Sequence, residues 1–201
     1  MNKPPKIHSS TIIAKTQIFC VESLQLEFSN GATRTYERLK AGSRGAVMIV
    51  PLNNNGELLL VREWAAGTER YELAFPKGLM EKDETPIQAA NRELQEEVGF
   101  SAHQFSLLKS LTLAPGYLTH RMHLILAQDL FPKQLLGDEP EPMEIVPWPM
   151  DRLDELLEQD DFTEARSVAA LFLVNTFLKR TFLLKVEPHY ENITEGTGGK
   201  G

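Results

Sequence analysis

Alternating apolar and polar residues near the start of the chain predict β-strands. Residues 20–28, CVESLQLEF, alternate in this way, and residues 32–39 read ATRTYERL, which is compatible with a partner strand. Asn30-Gly31 between them is typical of a type I′ turn, so we predict an N-terminal hairpin within residues 11–44. Residues 1–10 are expected to form a flexible arm.

Longer apolar runs follow this hairpin. The runs GAVMIVPL and ELLLVREW flank the turn NNNG, and they predict a second hairpin with a buried strand. Three further strands are predicted in RYELAF, FSLLKSLTL and RMHLILAQD. The acidic, proline-rich segment DEPEPMEIVPW is expected to be a loop that runs into a last strand.

Helical spacing replaces alternation near the end of the chain. The segments MDRLDELLEQ and TEARSVAALFLVNTFLKR both show it. Strands mixed with a few helices are typical of a layered α+β fold, which we place in a main domain over residues 45–186. Residues 187–201 are polar and glycine-rich, and we expect a disordered tail there.

One further helix is predicted in GLMEKDETPIQAANRELQEEVGF, residues 78–100. Thr85 is a favourable N-cap, Pro86 suits the first helical position, and Gln88 completes a capping box. Gly99 is a natural residue for the left-handed position that ends a helix. The helix should therefore run from Pro86 to Val98.

Three carboxylates crowd the end of this helix. Glu93, Glu96 and Glu97 stand at i, i+3 and i+4, where like charges repel by about 0.2–0.5 kcal/mol per pair. The negative end of the helix dipole adds roughly 0.3–1 kcal/mol for each anion. A hard divalent cation such as Mg²⁺ would compensate these charges. A solvated acidic face is the alternative interpretation of these residues alone.

Composition narrows the class of protein. The chain has 201 residues, 42% hydrophobic and 24% charged, which suits one globular domain. Cys20 is the only cysteine, so an intramolecular disulfide is excluded. We find neither a secretory signal nor an apolar run long enough for a membrane span, and we expect a cytoplasmic protein. The net charge of −7 disfavours a broad nucleic-acid surface.

The helix segment resembles the signature box of the Nudix hydrolase family. Its fixed positions all match, and they are Gly78, Glu84, Arg92, Glu93, Leu94, Glu96, Glu97, Gly99 and Phe100. The resemblance implies an α/β/α sandwich, here with the N-terminal hairpin as an extension. It also implies that Glu93, Glu96, Glu97 and the carbonyl of Lys77 hold Mg²⁺ or Mn²⁺. Glu84 and Arg92 match positions that orient the glutamates.

Other stretches narrow the resemblance to members that cleave ADP compounds. These stretches are APGY, KGL, GDEPEP, FTEARSVAALFLV, LEFSNGATRTYER and REWAAGTERYEL, spread over roughly residues 11 to 180. The implied reaction is hydrolysis of the diphosphate in ADP-ribose, NADH or diadenosine polyphosphates, which gives AMP and a second phosphate product. The implied partner is therefore a small ADP-containing molecule.

The resemblance places the catalytic base in a loop after the strands, here GDEPEPME. Asp138, Glu139, Glu141 and Glu144 are the candidates. We favour Glu139 as the base and Glu141 as a further metal ligand, and Glu96 becomes the leading base if none of the loop carboxylates serves. A solvated acidic loop is the alternative.

Arginines are the candidate substrate contacts, because a guanidinium forks onto phosphate oxygens. Arg62 leads, followed by Arg38 and Arg44, and a surface ion pair is the alternative for each. Many relatives carry another arginine where this chain has Ala65, so Arg70 or Arg121 is expected to substitute. Trp64 or Tyr36 could stack on adenine, although core packing is the more common role of such aromatics.

Two competing interpretations come from other functional classes. A non-catalytic ADP-ribose sensor would be expected to lose box glutamates and to gain a DNA-binding domain, and this sequence shows neither change. A Nudix enzyme acting on coenzyme A or NAD-capped RNA is the second, and the net charge disfavours a long RNA track. The resemblance further implies a homodimer formed through residues 17–39.

Overall fold

The computed structural model describes residues 3–42, 44–137 and 139–186, and the predicted tail over residues 187–201 lies outside them. The elements are β1 (Lys6–Lys15), β2 (Cys20–Glu27), β3 (Thr33–Leu39), β4 (Ala46–Pro51), β5 (Glu57–Ala65), β6 (Arg70–Ala74), β7 (Lys77–Leu79), α1 (Pro86–Glu93), β8 (Phe100–Thr112), β9 (Arg121–Pro132), β10 (Glu144–Pro149), α2 (Leu153–Leu157) and α3 (Ala165–Val186). No helix in this part of the chain is long and apolar enough to cross a membrane.

The first three strands form an antiparallel sheet in the order β1-β2-β3. The prediction of a flexible arm over residues 1–10 is wrong for Lys6–Ser10, which pair with Leu24–Glu27 of β2. Every side chain of β1 is exposed, so no alternation of apolar residues marks this strand in the sequence. Main-chain pairing to β2 holds it in place.

The predicted N-terminal hairpin is present, but its turn differs from the prediction. A type I′ turn needs a positive φ at both central residues, and here Gly31 (φ 81°) has one while Asn30 does not. The loop is wider, because the Phe28 N–H donates to the Ala32 carbonyl at 2.9 Å. The Asn30 side-chain oxygen accepts from the Ala32 N–H at 3.0 Å.

The prediction that β4 and β5 form a second hairpin is wrong. β4 lies between β7 and β9 in the sheet β7-β4-β9-β8, whereas β5 lies between β10 and β6 in another sheet. Both edges of β4 are thus already paired, with β9 running parallel to it. A single bridge between Leu52 and Leu58 marks where the chain passes from one sheet to the other.

The core explains the layers, because β4 is buried on both faces. Ala46, Met48 and Val50 belong to one apolar cluster, which also contains Ala170, Leu171 and Val174 of α3. Val47 and Ile49 belong to a second cluster, which contains Ala89, Ala90, Leu94 and Val98 from α1 and the turn after it. Helices α1 and α3 therefore pack on opposite sides of the strands. This arrangement is the α/β/α sandwich that the sequence predicted.

Candidate active site

The predicted helix over residues 86–98 has two parts. Thr85 and Gln88 form the predicted capping box, and α1 continues to Glu93. Residues Leu94–Val98 then form one π-helical turn, which ends at Gly99 in the left-handed conformation (φ 78°). Single π-helical turns occur mainly at functional sites, since the extra residue changes where side chains point.

Glu93 lies against the main chain of β7. Its side chain is almost fully buried, with 7% of the residue exposed. A Cβ added to Gly78 would overlap with the Glu93 carboxylate, so only glycine leaves room for this close approach. Burial is the largest cause of the raised pKa of Glu93, while the Arg92 guanidinium acts in the opposite direction.

Arg92 links the charged groups of the site. Its Nη1 donates to Glu93 at 2.8 Å and to Glu96 at 2.9 Å. Its Nε and Nη2 donate to the two carboxylate oxygens of Glu84 at 2.9 and 3.1 Å, and Nη2 also donates to the Leu79 carbonyl at 2.9 Å. Glu84 thus holds the guanidinium, and the guanidinium contacts two of the three clustered carboxylates, an arrangement compatible with the orienting role that the family resemblance implies.

Glu97 contacts the first residue of β7. Its carboxylate accepts from the backbone N–H of Lys77 at 3.1 Å. Burial, with repulsion from Glu93 and Glu63, raises the pKa of Glu97 to about 8 against the opposing effect of the Lys77 ammonium. That ammonium itself pairs with Glu63, a residue that the sequence analysis missed. Glu63 is a charged residue at the end of the buried run of β5, which is the feature that could have identified it.

The loop with the predicted base is tied to the helix end. The N–H of Lys133 donates to the Gly99 carbonyl at 3.0 Å, and that of Leu135 donates to the Gln95 carbonyl at 3.1 Å. The Gln134 side chain donates to the Glu96 carbonyl at 3.2 Å. These bonds bring the start of the loop against the π-helical turn.

The main cavity contains the box glutamates together with Glu139. It has a volume of about 630 Å³, and Arg44, Glu63, Lys77, Gly78, Leu79, Met80, Glu81, Arg92, Glu93, Glu96, Glu97, Leu136, Gly137, Glu139, Pro140 and Met143 line it. Glu141 is not among these residues, since its carboxylate accepts from the Tyr71 hydroxyl at 2.5 Å. Glu144 pairs with Arg62, and Asp138 lies outside the described residues.

The donor chemistry of this cavity fits a hard divalent cation. Six glutamates and three cationic side chains line it, which leaves three excess negative charges when all are ionised. Within the described ranges, no three Asp, Glu, His or Cys side chains are close enough together to hold one ion. Arg92 Nη1 lies between Glu93 and Glu96 and donates to one oxygen of each carboxylate. The second oxygen of each carboxylate is left for a metal.

The predicted substrate arginines lie around two spaces, since Arg62 lines one pocket and Arg38 and Arg44 line another. Arg62 pairs with Glu144 and Asp161, and Arg38 donates to Glu22 at 2.7 Å. Arg44 lines the main cavity. Arg62, which the sequence analysis ranked first, also lines an aromatic pocket with Trp64 and Tyr71, so its role as a substrate contact stays a prediction.

An aromatic pocket adjoins the main cavity. It has a volume of about 390 Å³ and shares Glu63, Glu139, Pro140 and Met143 with the main cavity. Trp64 and Tyr71 form its aromatic wall, with ring centroids 5.4 Å apart in an edge-to-face arrangement. Tyr36, the other predicted stacking residue, packs against Phe28 in the N-terminal sheet, with ring centroids 6.2 Å apart.

Comparison with known proteins gives a consistent result. A model described as the NUDIX domain matches residues 42–172, and one described as the NudE-type Nudix hydrolase N-terminal domain matches residues 5–38. The chain is 51% identical to the ADP compounds hydrolase NudE of Escherichia coli (strain K12), over 89% of this chain and 95% of that protein. It is 28% identical to the ADP-ribose pyrophosphatase of Bacillus subtilis (strain 168), over 79% of this chain and 89% of that protein.

A solved structure agrees with these sequence matches. A crystal structure of an ADP compounds hydrolase superposes with a TM-score of 0.86 at 50% identity, covering 90% of this chain and 97% of that one. Fold and sequence therefore match over nearly the same extent.

Replacing Gly78 with alanine should weaken divalent-cation binding. The new Cβ displaces the Glu93 carboxylate, and misplaced ligand groups typically cost 10–100-fold in metal affinity. We expect a loss of about tenfold or more in Mn²⁺ affinity by calorimetric titration. Gly67→Ala is the matched control, because a Cβ at Gly67 meets no atom within 4 Å. Equal affinities for the two variants would contradict the proposed position of Glu93 at the ion.

The pH dependence of stability should reveal Glu97. Its pKa is raised from 4.5 to about 8 in the folded protein, so the folded state binds the proton more tightly than the unfolded state does. The free energy of unfolding should therefore fall as pH rises from 4.5 to about 8. Urea denaturation in EDTA should show this fall in the wild type and a smaller fall in Glu97→Gln. Identical pH profiles would show that Glu97 is not the group responsible.

Proposed function

The chain belongs to the Nudix hydrolase family, and from this premise we propose that it cleaves the diphosphate linkage of ADP-X compounds such as ADP-ribose, NADH and diadenosine polyphosphates. The products are AMP and X-phosphate. The observation that carries the proposal is the cavity in which Glu93, Glu96, Glu97 and Arg92 meet beside an aromatic pocket. The identity with a relative named ADP compounds hydrolase supports the substrate class.

The box residues prepare the cavity for a diphosphate. Glu93, Glu96, Glu97 and the Lys77 carbonyl would hold the ion, for which we favour Mg²⁺ with Mn²⁺ as the alternative. When bound, such a cation neutralises phosphate oxygens and supports attack by water at phosphorus. Arg92 orients Glu93 and Glu96 through one oxygen of each, and Glu84 holds the guanidinium in place.

Glu139 is the proposed general base. It lines the main cavity across from the box, close enough to Glu93 to contribute to the raised pKa of that carboxyl. A carboxylate that is not bound to the ion keeps more of its basicity, so it can accept the proton of the attacking water. Glu141 remains the proposed further ligand, although it must first leave the Tyr71 hydroxyl.

The aromatic pocket is the proposed site for the base of the nucleotide. Trp64 is 52% exposed and Tyr71 is 45% exposed, so both rings present a face to a ligand. Adenine is the part that all ADP-X compounds share, and stacking on aromatic rings would hold it here. Arg62 remains the leading proposed phosphate contact, followed by Arg38 and Arg44. Arg62 lines the aromatic pocket and Arg44 lines the main cavity.

A cytoplasmic homodimer completes the proposal. The proposed contact runs through residues 17–39, where Ile18, Phe19 and Tyr36 are exposed apolar side chains. Exposed apolar patches are typical of protein–protein contact surfaces.

Product analysis tests the function directly. With Mg²⁺, ADP-ribose should give AMP and ribose 5-phosphate, and NADH should give AMP and reduced nicotinamide mononucleotide. Both pairs follow from cleavage between the two phosphorus atoms. Chromatography of the reaction mixture identifies them. Release of inorganic phosphate from either substrate would contradict the proposal, and turnover of coenzyme A alone would shift it to another substrate class.

Variants of the loop carboxylates separate their roles. Glu139→Gln should lower kcat by roughly 10²-fold and leave KM and the Mg²⁺ dependence nearly unchanged, because general base catalysis contributes about 10²–10⁴-fold. Glu141→Gln should instead raise the Mg²⁺ concentration needed for half-maximal rate. Identical behaviour of the two variants would refute this division. Retained activity in both would move the base to the box, with Glu96 as the leading candidate.

A further inference from the structure

A basic pocket adjoins the acidic main cavity, and the two meet at Arg44. It has a volume of about 420 Å³, and its polar lining consists of Arg38, Lys40, Arg44, Thr119, Arg121 and His123. Arg44 lines both this basic pocket and the main cavity. The two spaces are therefore neighbours that share one guanidinium.

The basic pocket is built by tertiary contacts rather than by one flexible loop. The end of β3 meets the start of β9 through the Leu39 N–H, which donates to the Tyr117 carbonyl at 2.7 Å, and the Thr119 N–H, which donates to the Leu39 carbonyl at 3.1 Å. The Ala41 N–H donates to the Thr119 hydroxyl at 2.9 Å. These bonds tie the N-terminal sheet to the main domain at this point.

Gly45 lets the segment that carries Arg44 lie close to Arg121 at the start of β9. It has a positive φ of 75°, and a Cβ there would stand 3.3 Å from the Arg121 carbonyl oxygen. A side chain at this position would be strained and tightly packed, so glycine keeps the segment with Arg44 against the start of β9. The approach of Arg44 and Arg121 follows from this contact.

Positive charge in the basic pocket exceeds negative charge. Arg38 and Lys40 both donate to the carboxylate of Glu22, at 2.7 and 3.0 Å. Glu22 is 3% exposed and also accepts from Ser10, and these hydrogen bonds lower its pKa to about 2. It therefore stays ionised and holds the two cations in place. Four cations, Arg44 and Arg121 included, against one carboxylate leave three excess positive charges.

That concentration of charge is unusual for a chain of net charge −7. A phosphate group carries up to two negative charges and several acceptor oxygens, and arginine forks match its geometry. We propose that the basic pocket binds phosphate of the X half of the substrate, so that ADP-X compounds with additional phosphates are preferred. This inference rests on the proposed function, because the adjoining acidic cavity is taken as the place where the diphosphate is cleaved.

Direct binding tests the basic pocket without any hydrolysis. The metal-free protein in EDTA is titrated calorimetrically with inorganic pyrophosphate, which the acidic cavity repels. Arg121→Gln should weaken binding by about tenfold, as expected for the loss of one charge-assisted contact. Arg34→Gln is the matched control, because Arg34 is exposed on β3, lines no part of this pocket and donates to the neighbouring Thr33 carbonyl. Equal affinities for wild type and Arg121→Gln would overturn the proposal.

Substrate preference shows whether the bound phosphate belongs to the substrate. Diadenosine tetraphosphate and diadenosine diphosphate carry the same nucleosides and differ only in the phosphates between them. The ratio of their kcat/KM values should fall by about tenfold in Arg121→Gln and stay constant in Arg34→Gln. An unchanged ratio in Arg121→Gln, with weaker pyrophosphate binding, would show a site for a free anion and would refute the substrate assignment. Failure to hydrolyse either compound would refute the proposed function, while the titration still reports on the pocket.

Discussion

Three carboxylates are held close together at the end of α1 and in the turn after it, and the rest of the site is arranged around them. Glu93, Glu96 and Glu97 repel one another, and burial removes the water that would weaken this repulsion. Arg92 contacts two of them, and the Lys77 N–H supplies a donor to the third. Burial is the main cause of the raised pKa values of Glu93 and Glu97, and repulsion from neighbouring glutamates adds to it. A fold retains such a cost where function requires it.

A rigid scaffold holds this arrangement in place. The apolar side of α1 packs on one face of β4, and β7 pairs with one edge of β4. The helix and Gly78 are therefore both fixed relative to β4. The approach of Glu93 to Gly78 thus follows from two independent packing contacts. Glu139, in contrast, lies on a loop that is tied to the helix end at its start and to the Tyr71 hydroxyl through Glu141. The three clustered glutamates thus lie on a helix and the turn after it, whereas the proposed base lies on a loop.

The sequence predicted local features well and pairings between distant strands poorly. The capping box at Thr85, the helix over residues 86–98 and the hairpin of β2 and β3 depend on neighbouring residues, and each is present. The hairpin of β4 and β5 failed because alternation cannot tell a neighbour in sequence from a neighbour in the sheet. β1 was missed since its exposed side chains form no pattern. The box residues were recoverable because their spacing is fixed along one helix, whereas the partners of Arg62 and Glu141 come from distant strands.

Segregation of charge resolves an apparent conflict between an acidic chain and an anionic substrate. The carboxylates concentrate where a cation would reverse the local sign, and four cations line the adjoining pocket, with Arg44 shared between the two spaces. Spreading the same charges evenly would give a weak field everywhere, while this pattern gives strong local fields of defined sign. Glu22 is essential to the pattern, because a buried carboxylate can fix Arg38 and Lys40 without cancelling both. Its pairing lies in the N-terminal sheet, so that sheet contributes to the electrostatics of the neighbouring cavity as well as to the fold.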